Sequence, residues 1–323
     1  MTAMIDTSNN RANIAFAGEV PWHGLGSVMQ PGMSEEQWIQ EAGLQWTALR
    51  SGVHFYDADD IQHTAPDQVL YRSDTKMPLG VVTNRYKIVQ PREVVEFYRD
   101  LVATQGWTLD VCGSLDGGKR IWALAKTDAE IVVGNGMDIV ETYLLLATAF
   151  DGTMATIGKF SSVRVVCSNT LTMSLNDDMA KVKVPHSRVF DPMAVKEELG
   201  IYAAATSKLE EEANRLAKRK VSDSEAAKFI AEVIGGKDFD AADVSARQGN
   251  IIKGVIDLYR GNGMGSDFSS AAGTAWGLVN SITQYVDWEI NSRNNNNRMR
   301  SAWFGQGDKM KTGAFEKALA LCE

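Results

Sequence analysis

Apolar residues along the chain keep changing their period, and each change marks a new kind of element. Trp38, Ile39 and Ala42 share one helical face, opened by the capping box Ser34-Glu35-Glu36-Gln37 and stopped by Gly43. From Leu44 to Val89 the pattern turns to strands. Trp46, Leu49, Val53, Phe55 and Tyr56 lie in one β-leaning stretch, Val69-Leu70-Tyr71 and Leu79 to Thr83 in others, with the acidic loop Asp57 to Asp60 between. Arg85 to Gln90 predicts a further strand with Tyr86 and Ile88 on one face and Arg85 and Lys87 on the other. Pro91 then suits the first turn of a helix carrying Val94, Val95, Tyr98, Leu101 and Val102.

Trp107 to Cys112, the turn Asp116-Gly117-Gly118 and Lys119 to Lys126 predict the clearest hairpin. Arg120, Trp122, Leu124 and Lys126 share one face of its second strand. Thr142 to Phe150 is a strongly apolar strand, and Met154 to Ile157 returns after Asp151-Gly152-Thr153. In Val163 to Leu175 a β-branched run gives way to Cys167, Ser168, Asn169 and Thr170, and apolar residues resume at Leu171 and Leu175. This predicts a strand entering a helix capped by Ser168 or Asn169, either an ordinary buried junction or an anion seat with Arg164 adding charge. The expected core is therefore a mostly antiparallel, curved sheet of about six to eight strands, with helices at 91 to 104 and after 168.

Beyond Asn176 the pattern is helical. Asp191-Pro192 starts a helix extending through Lys220, Ser222-Asp223 caps another that ends at Gly235-Gly236, and 241 to 260 carries a third. Gly261 to Ser266 is glycine-rich but lacks the Lys-Ser/Thr of a phosphate loop, so a turn is expected. Trp276, Val279, Ile282, Val286 and Ile290 stripe a helix over 274 to 291. The fold class is α+β in three parts: a loop and short helix (1–43), a sheet core (44–185) and a helical C-terminal region (186–323).

Composition narrows the function. The 323 residues are 44% hydrophobic, enough for a sizeable core. No apolar run approaches the roughly 20 residues of a membrane span, and the N-terminal stretch lacks a signal-type apolar region, so a cytoplasmic protein without membrane contact is expected. The net charge is −8, and the first 80 residues hold most of it, with 4 Lys and Arg against 10 Asp and Glu. A chain of that sign is a poor general nucleic-acid binder, which leaves local basic surfaces as the place to look. Residues 293 to 317 form one such stretch: six cations, including Arg298 and Arg300, against two carboxylates, with Trp303 and Phe304 inside it. Such a tail grips single strands or anchors onto the acidic N-terminal quarter.

Catalytic chemistry is not evident. Cys112, Cys167 and Cys322 fit neither a disulfide framework nor a zinc site, His23 has no sequence-near partner, and Asp57, Asp59 and Asp60 lack the glycine and glutamate of a calcium loop. No cofactor, no metal and no enzymatic activity are expected.

The boxes Pro21-Trp22-His23-Gly24-Leu25-Gly26, Asn84 to Gln90, Arg164 to Leu171 and Thr274-Ala275-Trp276-Gly277 resemble a phage- and plasmid-encoded family carrying a domain of unknown function, over nearly the whole chain. In arrangement, a curved antiparallel sheet with a hairpin and a helix behind it is similar to the core of phage single-strand annealing proteins of the RecT/Redβ kind. That resemblance implies a non-catalytic homo-oligomer, ring or filament, that holds single-stranded DNA in a basic groove inside the bacterial host. Arg85, Lys87, Lys119, Arg120, Lys159 and Arg164 are the expected phosphate contacts, with Tyr86, Trp122 and Phe160 stacking on bases and Ser168 and Asn169 seating an anion. The alternative is a phage structural or host-interaction protein that works through protein contacts.

Overall fold

The protein is described by a computed structural model over residues 5–7, 11–18, 25–164, 169–172, 181–199, 202–235, 245–290, 301–303 and 305–323. It forms two compact units, each assembled from separated stretches of chain.

The first unit comprises residues 1–128, 144–159 and 181–200. Its main sheet runs β2 (Ser27–Val28), β1 (Ile14–Phe16), β6 (Thr108–Leu115), the first part of β7 (Arg120–Val133), the second part of β8 (Asp138–Ala149), the first part of β9 (Thr156–Arg164) and β11 (Lys181–Val184). The β6–β7 hairpin falls where its alternation and Gly-Gly turn predict, with Gly113 opposite Trp122 and Leu115 opposite Arg120. Asp116, Gly117 and Gly118 all adopt positive φ, which the two glycines allow without strain. A smaller sheet, β3 (Ala48–Tyr56), β4 (Gln62–Arg72) and β5 (Pro78–Val82), is antiparallel throughout.

Helix α1 (Glu35–Glu41) carries its predicted box: the Ser34 N–H donates to Gln37 Oε1 at 2.8 Å, and Ser34 Oγ accepts from the Gln37 N–H. The helix expected over 91 to 104 forms as α2 (Pro91–Glu96) and α3 (Arg99–Gln105). Tyr98 sits between them. Its hydroxyl reaches the sheet carbonyls of Ala123 at 2.9 Å and Leu144 at 3.0 Å, fixing the helices against β7 and β8. Asp191 caps α4 (Pro192–Leu199), and Lys196 on α4 pairs with Asp100 on α3.

The second unit comprises residues 129–143, 160–180 and 201–323. Here the far parts of β7 and β8 close through a turn at Gly134, whose N–H donates to Asn214 Oδ1 at 2.9 Å on α5 (Tyr202–Lys218). Helices α6 (Asp223–Gly235), α7 (Ala246–Asp257), α8 (Ala275–Gln284) and α9 (Gln306–Ala320) also belong to it, and every residue of α8 is buried. Buried Asp138 accepts from Ser270 Oγ at 2.6 Å and from the Trp276 indole N–H at 3.0 Å. A buried Lys311–Asp287 pair at 2.8 Å ties α9 to the turn that extends α8.

Three predicted elements differ. Residues 83–90 are not a strand: the Tyr86 N–H closes a turn onto Thr83 O, and the Lys87 N–H leaves for the His186 carbonyl. The helix predicted after Ser168 is replaced, over Asn169–Thr172, by strand β10 antiparallel to β9, with Asn169 opposite Arg164. β9 offers a ladder that Thr170 and Thr172, poor helix formers, suit better than a helical turn. The long helix expected from Pro192 to Lys220 is two helices. Among the described residues, no helix is long and apolar enough to cross a membrane.

Candidate nucleic-acid interface

Five of the cations and rings that sequence reasoning nominated, Arg120, Lys159, Tyr86, Trp122 and Phe160, are buried inside the fold. Arg120 is buried between carboxylates, bonding Asp116 Oδ2 at 2.5 Å and Asp151 Oδ2 at 3.2 Å, with Thr153 Oγ1 at 2.8 Å. A guanidinium neutralised twice has no charge left to offer a phosphate. Lys159, Trp122 and Phe160 are buried as well, so neither ring presents a face to a base. Lys119 is half-buried. Arg164 and Asn169 pair as neighbours across β9 and β10, which corrects the helix-cap site expected there, while Ser168, Arg298 and Arg300 lie outside the described residues, as do Trp22, His23, Cys167 and Phe304.

Tyr86 is corrected in a more informative way. Its ring is buried and stacks on His186, centroids 4.2 Å apart and planes 13° from parallel, while its hydroxyl donates to Ala149 O at 2.6 Å. Burial pushes the phenol well above its ordinary range, and the charge of Asp151 adds to the shift. Tyr86 therefore acts as a pin that joins the turn at 83–90 to the segment after β11. The backbone completes the joint: the Lys87 N–H donates to His186 O at 2.5 Å, and His186 Nδ1 donates to Lys87 O at 2.7 Å. Burial holds the imidazole below its ordinary value, against the opposing pull of that carbonyl, so His186 is neutral at pH 7.

This joint gathers cations. Arg85 and Lys87 flank Tyr86, Lys183 and Arg188 lie three residues before and two after His186, and all four are exposed. Three residues of extended chain span at most about 11 Å, so the four backbone positions are close neighbours of one point. Arg50 on β3 reaches the same turn through the Tyr86 carbonyl. Among the described residues none of Arg85, Lys87, Lys183 and Arg188 makes an ion pair. The stretches 81–92 and 181–190 contain no Asp or Glu, and nearby Asp151 is occupied by Arg120. The result is a local positive surface on an acidic chain, able to bind an extended anion by charge and by backbone groups.

Of the nominated residues, Arg85 and Lys87 belong to this surface. Sequence reasoning missed Lys183, His186, Arg188 and Arg50. The carboxylate-free, three-cation stretch at 181–190 was the available signal for three of them; nothing local pairs it with residue 86. Cys112 is buried, and burial pushes its thiol well above the ordinary range. Among the described residues no group of three or more His, Cys, Asp and Glu has metal-holding geometry.

A family model described as a domain of unknown function, DUF932, matches residues 78–303. No curated protein and no solved structure matches the chain.

Proposed function

For a chain that belongs to the DUF932 family, a family of unknown function, we propose a non-catalytic role as a single-stranded DNA-binding protein, with annealing or recombination on a phage or plasmid genome as the setting. One observation carries the reading: Arg85, Lys87, Lys183 and Arg188 converge, exposed and without ion pairs among the described residues, on the Tyr86–His186 stack. A phosphate backbone is the extended anion that such a group of cations recognises, because each neutralised phosphate releases counterions. The choice of a single strand rests on the resemblance of the antiparallel sheet, hairpin and backing helix to annealing proteins. The cations lie outside the buried sheet face that carries Arg120 and Lys159, which moves the DNA path to the loop following β5 and to β11 with the segment after it.

Fluorescence polarisation with a labelled oligothymidylate tests this. Affinity should fall steeply with salt, with a log–log slope of about −3 if four phosphates are met on a single strand. The quadruple alanine variant at Arg85, Lys87, Lys183 and Arg188 should lose most of the affinity and flatten the slope. Absence of binding at low salt, or an unchanged slope in the variant, overturns the proposal.

A further inference from the structure

The β3–β4 hairpin ends in a tip that the rest of its unit leaves uncovered. Residues 54–56 and 58–64 are all exposed, and Tyr56 at 65% and Ile61 at 57% exposure are large apolar groups standing in water. A two-stranded hairpin with solvent on both faces is marginally stable alone, yet this tip is firmly built. Asp57 Oδ1 accepts the N–H groups of Asp59 at 3.0 Å and Ile61 at 2.9 Å, Asp57 Oδ2 bonds His63 Nε2 at 2.6 Å, and the His63 ring stacks on Phe55. Asp59 and Asp60 project beyond that lock and make no ion pair among the described residues. The tip is thus preformed, apolar and acidic.

Its complement in both respects is the basic surface. Arg188 is followed by Val189, 73% exposed, and Met193, the second residue of α4, is 59% exposed, so these cations border an apolar step. Among the described residues, no hydrogen bond or ion pair joins the tip to this surface. Arg50 touches the Tyr86 carbonyl, and the strand runs six residues from there to Tyr56, about 20 Å away at roughly 3.3 Å per residue. We infer that the partner is a second copy of this chain: the acidic, apolar tip of one copy docks on the Lys183–Arg188–Val189–Met193 surface of another. Two different surfaces meet, so the contact is made twice in a closed two-fold pair or repeats head to tail. Self-association stands without the DNA reading. Competition between the tip and DNA for the same cations rests on it.

Sedimentation velocity of the full chain, without nucleic acid, at about 50 mM and about 500 mM NaCl is the test. The wild type should associate at low salt and dissociate at high salt, and Asp59→Asn/Asp60→Asn should weaken association by about tenfold. Mixing Asp59→Lys/Asp60→Lys with Lys183→Glu/Arg188→Glu should restore a mixed complex that neither variant forms alone. All four positions are exposed, and circular dichroism checks that each variant is folded. A wild type that stays monomeric at both salts, or a charge-swapped mixture no better than its components, overturns the contact. If association holds and oligothymidylate leaves it intact, the competition fails while the contact stands.

Discussion

Arg72 shows what one buried charge demands of its surroundings. On β4 it is fully buried, bonds the carboxylates of Asp6 and Asp74, donates to Gly117 O at 3.2 Å and lies 4.5 Å over the Trp46 ring. Asp6 also accepts from Asn13 Nδ2 at 2.7 Å and from Ser114 Oγ at 3.1 Å, so one buried carboxylate ties residues 6, 13, 72 and 114 together. Asp6→Ala leaves the guanidinium with a half-exposed partner and should cost about 3 kcal/mol in a urea titration; a loss below about 1 kcal/mol would contradict this account. His186 makes a pH prediction. Its native pKa lies below the ordinary 6.5, so the unfolded chain binds more protons than the native state just below that value. Stability should therefore fall as pH drops from 6.5 toward the lowered native value. His186→Phe keeps a ring on Tyr86 and removes the titration. Its unfolding free energy should fall less than the wild type's between neutral pH and about pH 5, and parallel profiles would refute the assignment.

Elements were legible wherever the signal was local. The Ser34 box, Pro91, the Asp191-Pro192 pair and the Asp116-Gly117-Gly118 turn each open or close an element where their chemistry requires, because a cap or a turn is decided within about four residues. Long-range competition defeats such signals: residues 83–90 have strand periodicity but give their hydrogen bonds to a turn and to His186. Helix α8 carries the sharpest test at this scale. Gly277 to Ala would favour an isolated helix by about 1 kcal/mol, yet a Cβ at 277 would stand 2.1 Å from the Ala271 carbonyl oxygen. The substitution should instead destabilise by about 2–3 kcal/mol, read as a lower melting temperature, and a stabilised variant would mean that the close approach is relieved.

At the scale of the molecule, net charge and functional charge part company. A chain of −8 carries a compact positive surface because 81–92 and 181–190 hold no carboxylate and several carboxylates elsewhere are spent on different cations: Asp116 and Asp151 on Arg120, Glu35 and Glu36 on Arg99 and Arg92, Asp100 on Lys196. Arg120, which alternation placed on a strand face, was spent in those pairs, while Arg85, Lys87, Lys183 and Arg188, after β5 and in or just after β11, stayed exposed. Salt dependence is therefore the measurement common to DNA binding and self-association. Hydrophobic period, caps and turn residues determined by themselves the α+β class, the central hairpin and most helix starts, since those follow from each residue's own conformational preferences. Which cations face water, and that residues 85–87 meet residues 183–188 across about a hundred positions of sequence, was decided by the tertiary structure alone. Burial and ion pairing depend on what the chain brings alongside from far away, and no local pattern records that.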